Sequence, residues 1–368
     1  MRTQSVFIED RRAWGDTGPL TDLLKVSSPI SAIDIIIRAT NGATSNQGNP
    51  LHIDVDRIEI IDGSDRLFSL SMVQGIIQHA MSERNYPPHL LSEAAAAVQE
   101  QGFRISFGRY LGDPEYWLDP GQFRNLAYRL TGDLTISATV GFATGTRDVT
   151  LIAHTMIDAP GGRAGYFMTK EMFQFTTVAS GDQRIALPDD FMYRSIGLRA
   201  FETAIAFHVD VTNVKLTRGK DAFVYYDVRA EALRDLVQNT IGEHAVAQTL
   251  FRTDADTPDL YLAYVRAANA NAVQDFDIAS FDAITINQGT VQLITLAAAP
   301  TIAKSWTNRS ILAEARGLMP HHGLVIPFGD LNDPTNWPGG DDIQDLELVL
   351  TQGGSGAAAT VWAQQVRP

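Results

Sequence analysis

The sequence predicts an all-β protein of two tandem β-sandwiches, with short helices and a long insertion in the second. Two observations predict it. One pattern of residues occurs twice in the same order, and each occurrence is set among short segments of alternating polarity. The clearest repeat pairs Phe107-Gly108, Leu111, Asp113-Pro114, Trp117, Leu126, Leu130 and Thr131 with Phe328-Gly329, Leu331, Asp333-Pro334, Trp337, Leu346, Leu350 and Thr351. From Leu111 onward the offset is constant at 220, with seven identities in twenty-one positions. An earlier repeat at offset 156 matches His52, Asp54, Val55, Gly63 and Asp65 to His208, Asp210, Val211, Gly219 and Asp221. A third anchor aligns Ile37-Arg38-Ala39 with Leu198-Arg199-Ala200 at offset 161. The order 161, 156, 220 describes one unit duplicated in tandem, and the difference between the last two offsets places 64 additional residues in the second copy. Two long copies are not a solenoid.

Each copy opens on a buried strand, Ser31–Thr40 and Arg194–Glu202, rich in large apolar residues between turn formers. Leu51–Asp62 then alternates Leu51, Ile53, Val55 against His52, Asp54, Asp56 before the apolar phase passes to Ile58 and Ile60. The second copy changes phase at the same place, with Phe207, Val209 and Val211 followed by Val214 and Leu216, which predicts a bulge or a strand crossing between sheets. A short strand follows (Leu67–Leu70; Phe223–Tyr226), then a helix capped by Ser71 in one copy and Asp227 in the other. Ser71 and Gln74 have capping-box spacing. A further helix is expected over Leu90–Gln99, and extra strands over Leu260–Val265, Asp282–Ile286 and Val291–Leu296. Phe103, Ile105, Phe107 and Leu324, Ile326, Phe328 alternate as half-buried strands before an Asp-Pro turn, in which proline fixes φ and aspartate caps the turn amides. Trp117 and Trp337 are expected to plug that turn onto the core. Strands at Leu126–Leu130 and Leu346–Leu350, then Val149–His154 and Thr360–Val366, complete about eight per copy, the count of a jelly roll. The expected organisation is an N-terminal arm over 1–30, a first jelly roll over 31–157, a linker over 158–190 and a second jelly roll over 191–368 with its insertion at about 241–305.

Composition narrows the function classes. The 368 residues are 45% hydrophobic and 20% charged, a globular balance. There is no cysteine, which excludes disulfides and thiolate chemistry. The net charge is −14 with no Lys/Arg-rich run, which argues against direct nucleic-acid binding. Met1–Asp16 carries Glu9, Asp10, Arg11 and Arg12 where a signal peptide needs an apolar stretch, so synthesis in a host cytoplasm is expected.

With its two sandwiches, its insertion, and the segment Arg109-Tyr110-Leu111-Gly112-Asp113-Pro114-Glu115-Tyr116-Trp117-Leu118-Asp119-Pro120 leading to Asn125-Leu126, the chain resembles the double jelly-roll major capsid proteins of tailless icosahedral viruses, lipid-containing bacteriophages in particular. The resemblance implies a structural virion protein with no catalytic, cofactor-binding or metal residues. It implies a homotrimer that packs against neighbouring trimers, penton and minor capsid proteins as further partners, and an arm reaching a neighbour or an internal membrane. A trimer of two-sandwich chains presents six similar walls and tiles as a hexagon while obeying three-fold symmetry.

Two rivals come from other classes. His52-x-Asp54 and His208-x-Asp210 have the strand spacing of a 2-His-1-carboxylate iron site, with His154, His321 or His322 as the third ligand, which describes a tandem non-haem iron oxygenase. The plainer reading is a polar face at a sheet edge or interface. Trp14, Trp306 and Trp362 as a sugar platform describe a carbohydrate-binding or adhesin protein, against their commoner use as buried core. Asp254-x-Asp256-x-x-Asp259 and Asp341-Asp342-x-x-Asp345 are weak candidates for structural Ca²⁺, lacking the glycine and glutamate of an EF-hand. Asn308-x-Ser310 fits a glycosylation acceptor only by pattern.

Overall fold

The computed structural model describes residues 2–368 except 44–45, 47–49, 93–94, 135–140, 160, 203–204, 242–245, 254–258, 264–266, 275–282, 288–289, 295–309 and 318, and over 241–318 it describes backbone only. The first half runs β1 (Arg2–Ala13), β2 (Leu20–Leu23), β3 (Ile30–Thr40), β4 (Arg57–Asp62), β5 (Asp65–Leu70), α1 (Met72–Glu83), β6 (His89–Ser92), β7 (Val98–Ser106), β8 (Leu126–Thr131) and β9 (Asp148–Ile157). The second runs β10 (Tyr166–Thr176), β11 (Gly181–Ala186), β12 (Met192–Phe201), α2 (Phe207–Asp210), β13 (Val211–Arg218), β14 (Phe223–Arg229) and α3 (Ala230–Ile241). The insertion adds β15 (Val246–Thr253), β16 (Asp259–Ala263), β17 (Ala267–Gln274), β18 (Ala283–Asn287), β19 (Thr290–Ile294) and β20 (Ser310–Gly317), and β21 (Gly323–Pro327), β22 (Glu347–Gln352) and β23 (Ala358–Arg367) close the chain. The expected extra strands are there as β16, β18 and β19, and the insertion reaches past 305 to include β20.

Pairing repeats strand for strand. In the first half β1 lies beside β9, β2 beside β8, β3 between β9 and β7, and β4 between β8 and β5. In the second half β10, β11, β12 and β13 stand in the same relations to β23, β22, β21 and β14. Each half is thus a four-plus-four sandwich. The Asp133 N–H donates to the Asp54 carbonyl at 2.9 Å, and the Gly353 N–H to the Asp210 carbonyl at 3.0 Å, one hydrogen bond reproduced at offsets 156 and 220.

This pairing redraws the expected boundaries. Residues 1–30, expected as an arm, and 158–190, expected as a linker, each supply the first two strands of their own sandwich. Both were hidden for one reason: β1 is solvated along nearly its whole length, and β10 from Lys170 onward, so neither shows the alternation that marks a half-buried strand.

Other local differences have local causes. Leu51–Asp54 is a turn closed by Ile53 N–H to Pro50 O at 3.0 Å, its counterpart is helix α2, and the strand starts only where the apolar phase settles, at Arg57 and Val211. The helix expected over Leu90–Gln99 is not found in its described residues: His89–Ser92 pairs with β7 and, in parallel, with β15, and Val98 and Gln99 open β7, so tertiary pairing sets the conformation at both ends. Asp227 lies inside β14 and accepts from Asn213 Nδ2 at 2.7 Å, while α3 begins at Ala230. The Ser71 box forms as expected, with Gln74 N–H donating to Ser71 Oγ at 3.2 Å and Ser71 N–H to Gln74 Oε1 at 2.8 Å. Met72, Ile76, Ile77 and Ala80 then bury one face of α1.

The sandwiches share a single core. Strand β10 of the second pairs in parallel with β5 of the first, Thr169 opposite Phe68 and Lys170 opposite Ser69, which merges two four-stranded sheets into one of eight. Glu171 secures the seam, accepting from Arg57 at 2.8 Å and Gln74 at 2.6 Å. The parallel pair β6 with β15 ties the insertion to the first sandwich in the same way.

Candidate functional site

The repeated Asp-Pro turns meet where the sandwiches join. Asp113, fully buried, accepts from Arg109 Nε at 2.7 Å and Nη2 at 2.8 Å, and from the backbone N–H groups of Arg109 and Glu115 at 2.9 and 3.0 Å. These bonds outweigh the effect of burial and hold its carboxyl below the usual range. Arg109 Nη1 also donates to the carbonyl of Asn332 in the twin turn at 3.3 Å. Trp337, expected as a plug, is buried and packs with Tyr116 and Phe167 at ring-centroid distances of 6.0 and 5.8 Å. Trp117 is equally buried. The turns are thus a mechanical contact between copies.

A second joint gathers histidines. His52, from the first sandwich, meets His321, from the second, with ring centroids 4.6 Å apart. Tyr86 Oη lies 2.8 Å from His321 Nε2, and the His89 ring packs against Tyr86 at 4.8 Å. His321 and His322 both have left-handed backbone, φ 53° and 61°, in the turn that feeds β21. Arg199 Nε donates to the His321 carbonyl at 3.0 Å, and His322 packs on Phe201 at 5.1 Å. Burial, reinforced by Arg199 and His89, lowers the His52 imidazole to about 3. His322 is lowered to about 4 by burial and then Arg199, and His321 lies well below its ordinary value for the same leading reason. Burial thus favours the neutral form of the His52, His321 and His322 rings.

This geometry takes apart both proposed iron triads. His52 and Asp54 sit on a turn and His208 and Asp210 on a short helix, so neither pair has the strand spacing its motif suggested. His154 lies 2.7 Å from Asp34, which also takes two bonds from Arg104 at 2.7 and 2.9 Å. Against the raising effect of burial, His154 and Arg104 bring Asp34 down to about 2. His208 is half-buried and faces Glu231 at 3.4 Å. Asp210 is buried, and burial followed by repulsion from Glu202 pushes its carboxyl up to about 6. Among the described residues no three His, Asp or Glu side chains are placed to hold a metal ion.

The remaining candidates fall in the core or outside the described residues. Trp14 is buried with the Arg147 guanidinium 3.6 Å over its ring, and Trp362 is buried with Nε1 donating to Gln78 at 2.9 Å, so neither offers a face to a sugar. Trp306, Asn308, Asp254 and Asp256 lie outside the described residues, as does the side chain of Asp259. In the other acidic stretch, Asp342 takes a 2.6 Å bond from Arg218. Sequence reasoning missed Tyr86, His89 and Arg199 as members of the joint, because it looked for partners within one copy and they come from both. No helix among the described residues is long and apolar enough to cross a membrane.

Whole-chain comparison bears on this two-copy architecture. The MCP of STIV superposes with a TM-score of 0.58 at 10% identity, covering 100% of this chain and 98% of that one. The fold is the double jelly roll. The major capsid protein of bacteriophage PM2 superposes at 0.54 with 10% identity over 100% and 98% of the two chains. A chain of Sulfolobus Turreted Icosahedral Virus gives 0.56 with 10% identity over 100% and 92%. No protein-family model and no curated protein matches the sequence. The double jelly roll of this chain therefore keeps its architecture at an identity where individual side chains have diverged.

Proposed function

We propose that this protein is the major coat subunit of an icosahedral virus, a structural component of the virion with no catalytic role. The observation that carries the reading is the complete repetition of one eight-stranded sandwich, joined edge to edge within the chain, in a fold otherwise seen over the whole length of major capsid proteins. Duplication of this kind serves outline. A homotrimer offers six similar walls and fills a hexagonal tile, and neighbouring trimers abut wall to wall. Closing such a lattice needs a different protein at the five-fold corners, so a penton protein is a required partner, with minor capsid proteins between tiles. The net charge of −14 keeps the shell from adsorbing nucleic acid through the coat subunit itself. The test is mass in solution: a stable species near three times 40.2 kDa is expected, and a monodisperse monomer at micromolar concentration overturns the reading.

A further inference from the structure

The two copies treat one buried carboxylate differently. Asp54 and Asp210 are equivalent by the hydrogen bond their carbonyls share, and both are fully buried. In the first copy the buried guanidinium of Arg147 interacts electrostatically with Asp54. The second copy has no such cation. Trp14 N–H donates to the Arg147 carbonyl and Thr177 N–H to the Ala357 carbonyl, both at 3.0 Å, which matches Arg147 to Ala357. The pairing of Arg38 with Asp148 and of Arg199 with Thr360 matches it instead to Ala359. Either register leaves a methyl group where the guanidinium stood. The offset of 161 that aligns Arg38 with Arg199 also aligns Asn41 with Glu202, so an amide in the first copy is a carboxylate in the second.

Neither oxygen of Asp210 receives a hydrogen bond among the described residues, and half-buried Glu202 is the one charged group that acts on it. A buried carboxylate left in this way needs a positive partner. Glycines bring the main chain close over the pair. A Cβ on Gly354 would stand 2.6 Å from Asp210 Oδ1 and 3.4 Å from the Val209 carbonyl oxygen, and one on Gly356, whose φ is 113°, would stand 3.6 Å from Glu202 Oε1. Every ligand atom this place offers is a hard oxygen, the donor type that suits calcium.

We propose that Asp210 and Glu202 bind one calcium ion per chain, which takes in the second copy the place that Arg147 holds in the first. Main-chain oxygen and water complete its shell, so a third acidic side chain is not required. Strand β14 runs back to the start of β13, Arg229 opposite Asn213, so the site lies at the end of the sandwich from which α3 and the insertion leave. Calcium there ties the segment after β12 to the one before β23.

The test melts the full chain at pH 7 in chelator and in about 10 mM calcium chloride. The native midpoint is expected to rise by about 2 °C or more with calcium. Glu202→Gln and Asp210→Asn are each expected to lose that rise, while in chelator neither melts below the native chain, because each relieves the repulsion within the pair. Loss of the calcium response without loss of stability distinguishes a ligand from a structural residue. No rise in the native chain, or a full rise kept by either variant, overturns the site. The site lies within one chain, so a monomeric mass leaves it standing.

Discussion

His52 and His321 meet edge to face at 4.6 Å across the joint of the sandwiches, one imidazole from each copy of the duplicated unit. Among the described residues, no carboxylate contributes to the electrostatics of either ring. The contact is therefore sensitive to protons in a way that the arginine-carboxylate contacts elsewhere in the fold are not.

The sign follows from the lowered imidazoles. An unfolded chain binds a proton at His52 below about 6.5, whereas the folded chain resists until about 3, so stability is intact above 6.5 and falls with acidification across that window. Between pH 6.5 and 5 the expected loss is at most roughly 2 kcal/mol per buried histidine. Thermal unfolding from pH 7.5 to 5 should show the midpoint falling, and His52→Gln or His321→Gln should flatten that slope. A midpoint independent of pH in this range would contradict the neutral-imidazole joint.

Gly197 lies flat on Trp362, where an added Cβ would stand 1.8 Å from the indole. In the first copy Ile36 and Thr150 hold these two places, so bulk has been moved from one strand to its neighbour. Gly197→Ala is expected to cost about 1–3 kcal/mol by overpacking. Calorimetry of Gly197→Ala in the Trp362 and Trp362→Leu backgrounds checks this, since the added methyl should cost less where the indole is gone.

Arg109 is the only cation bonded to the buried Asp113 among the described residues. Arg109→Ala leaves an uncompensated carboxylate and is expected to cost about 3 kcal/mol or more. Arg109→Ala/Asp113→Asn should be less damaging than Arg109→Ala alone, and denaturant midpoints of the three proteins decide it.

Asp210 has a carboxyl raised to about 6 against an ordinary 3.8, by burial and then Glu202. The fold favours its protonated form, so this group's contribution to stability declines as pH rises from 3.8 to 6 and stays low above. Asp210→Asn is expected to stabilise the protein at pH 7 by on the order of 1 kcal/mol and to give no gain at pH 4. Paired melting curves at the two pH values measure it.

The duplication was legible because its anchors are residues whose chemistry is local. Asp-Pro turns, the Ser71 box and the apolar strands β3, β8 and β9 are written in neighbouring positions, and they lie where their patterns placed them. The histidine motif was legible only as a recurrence. Its spacing suggested a strand, yet the chain turns there, and the partner of His52 comes from the other copy. Strands β1 and β10 escaped for a different reason: β1 along nearly its whole length, and β10 from Lys170 onward, have water beside them and carry no alternation to read. The junctions between copies depend on contacts distant in the chain, which no local pattern encodes.

Strand β23, the last ten residues before the terminal proline, lies between β10 and β12 in the middle of its sheet, with eight consecutive side chains buried. Removing that strand would therefore take from β10 and β12 the one neighbour they share and open the second sandwich at its middle.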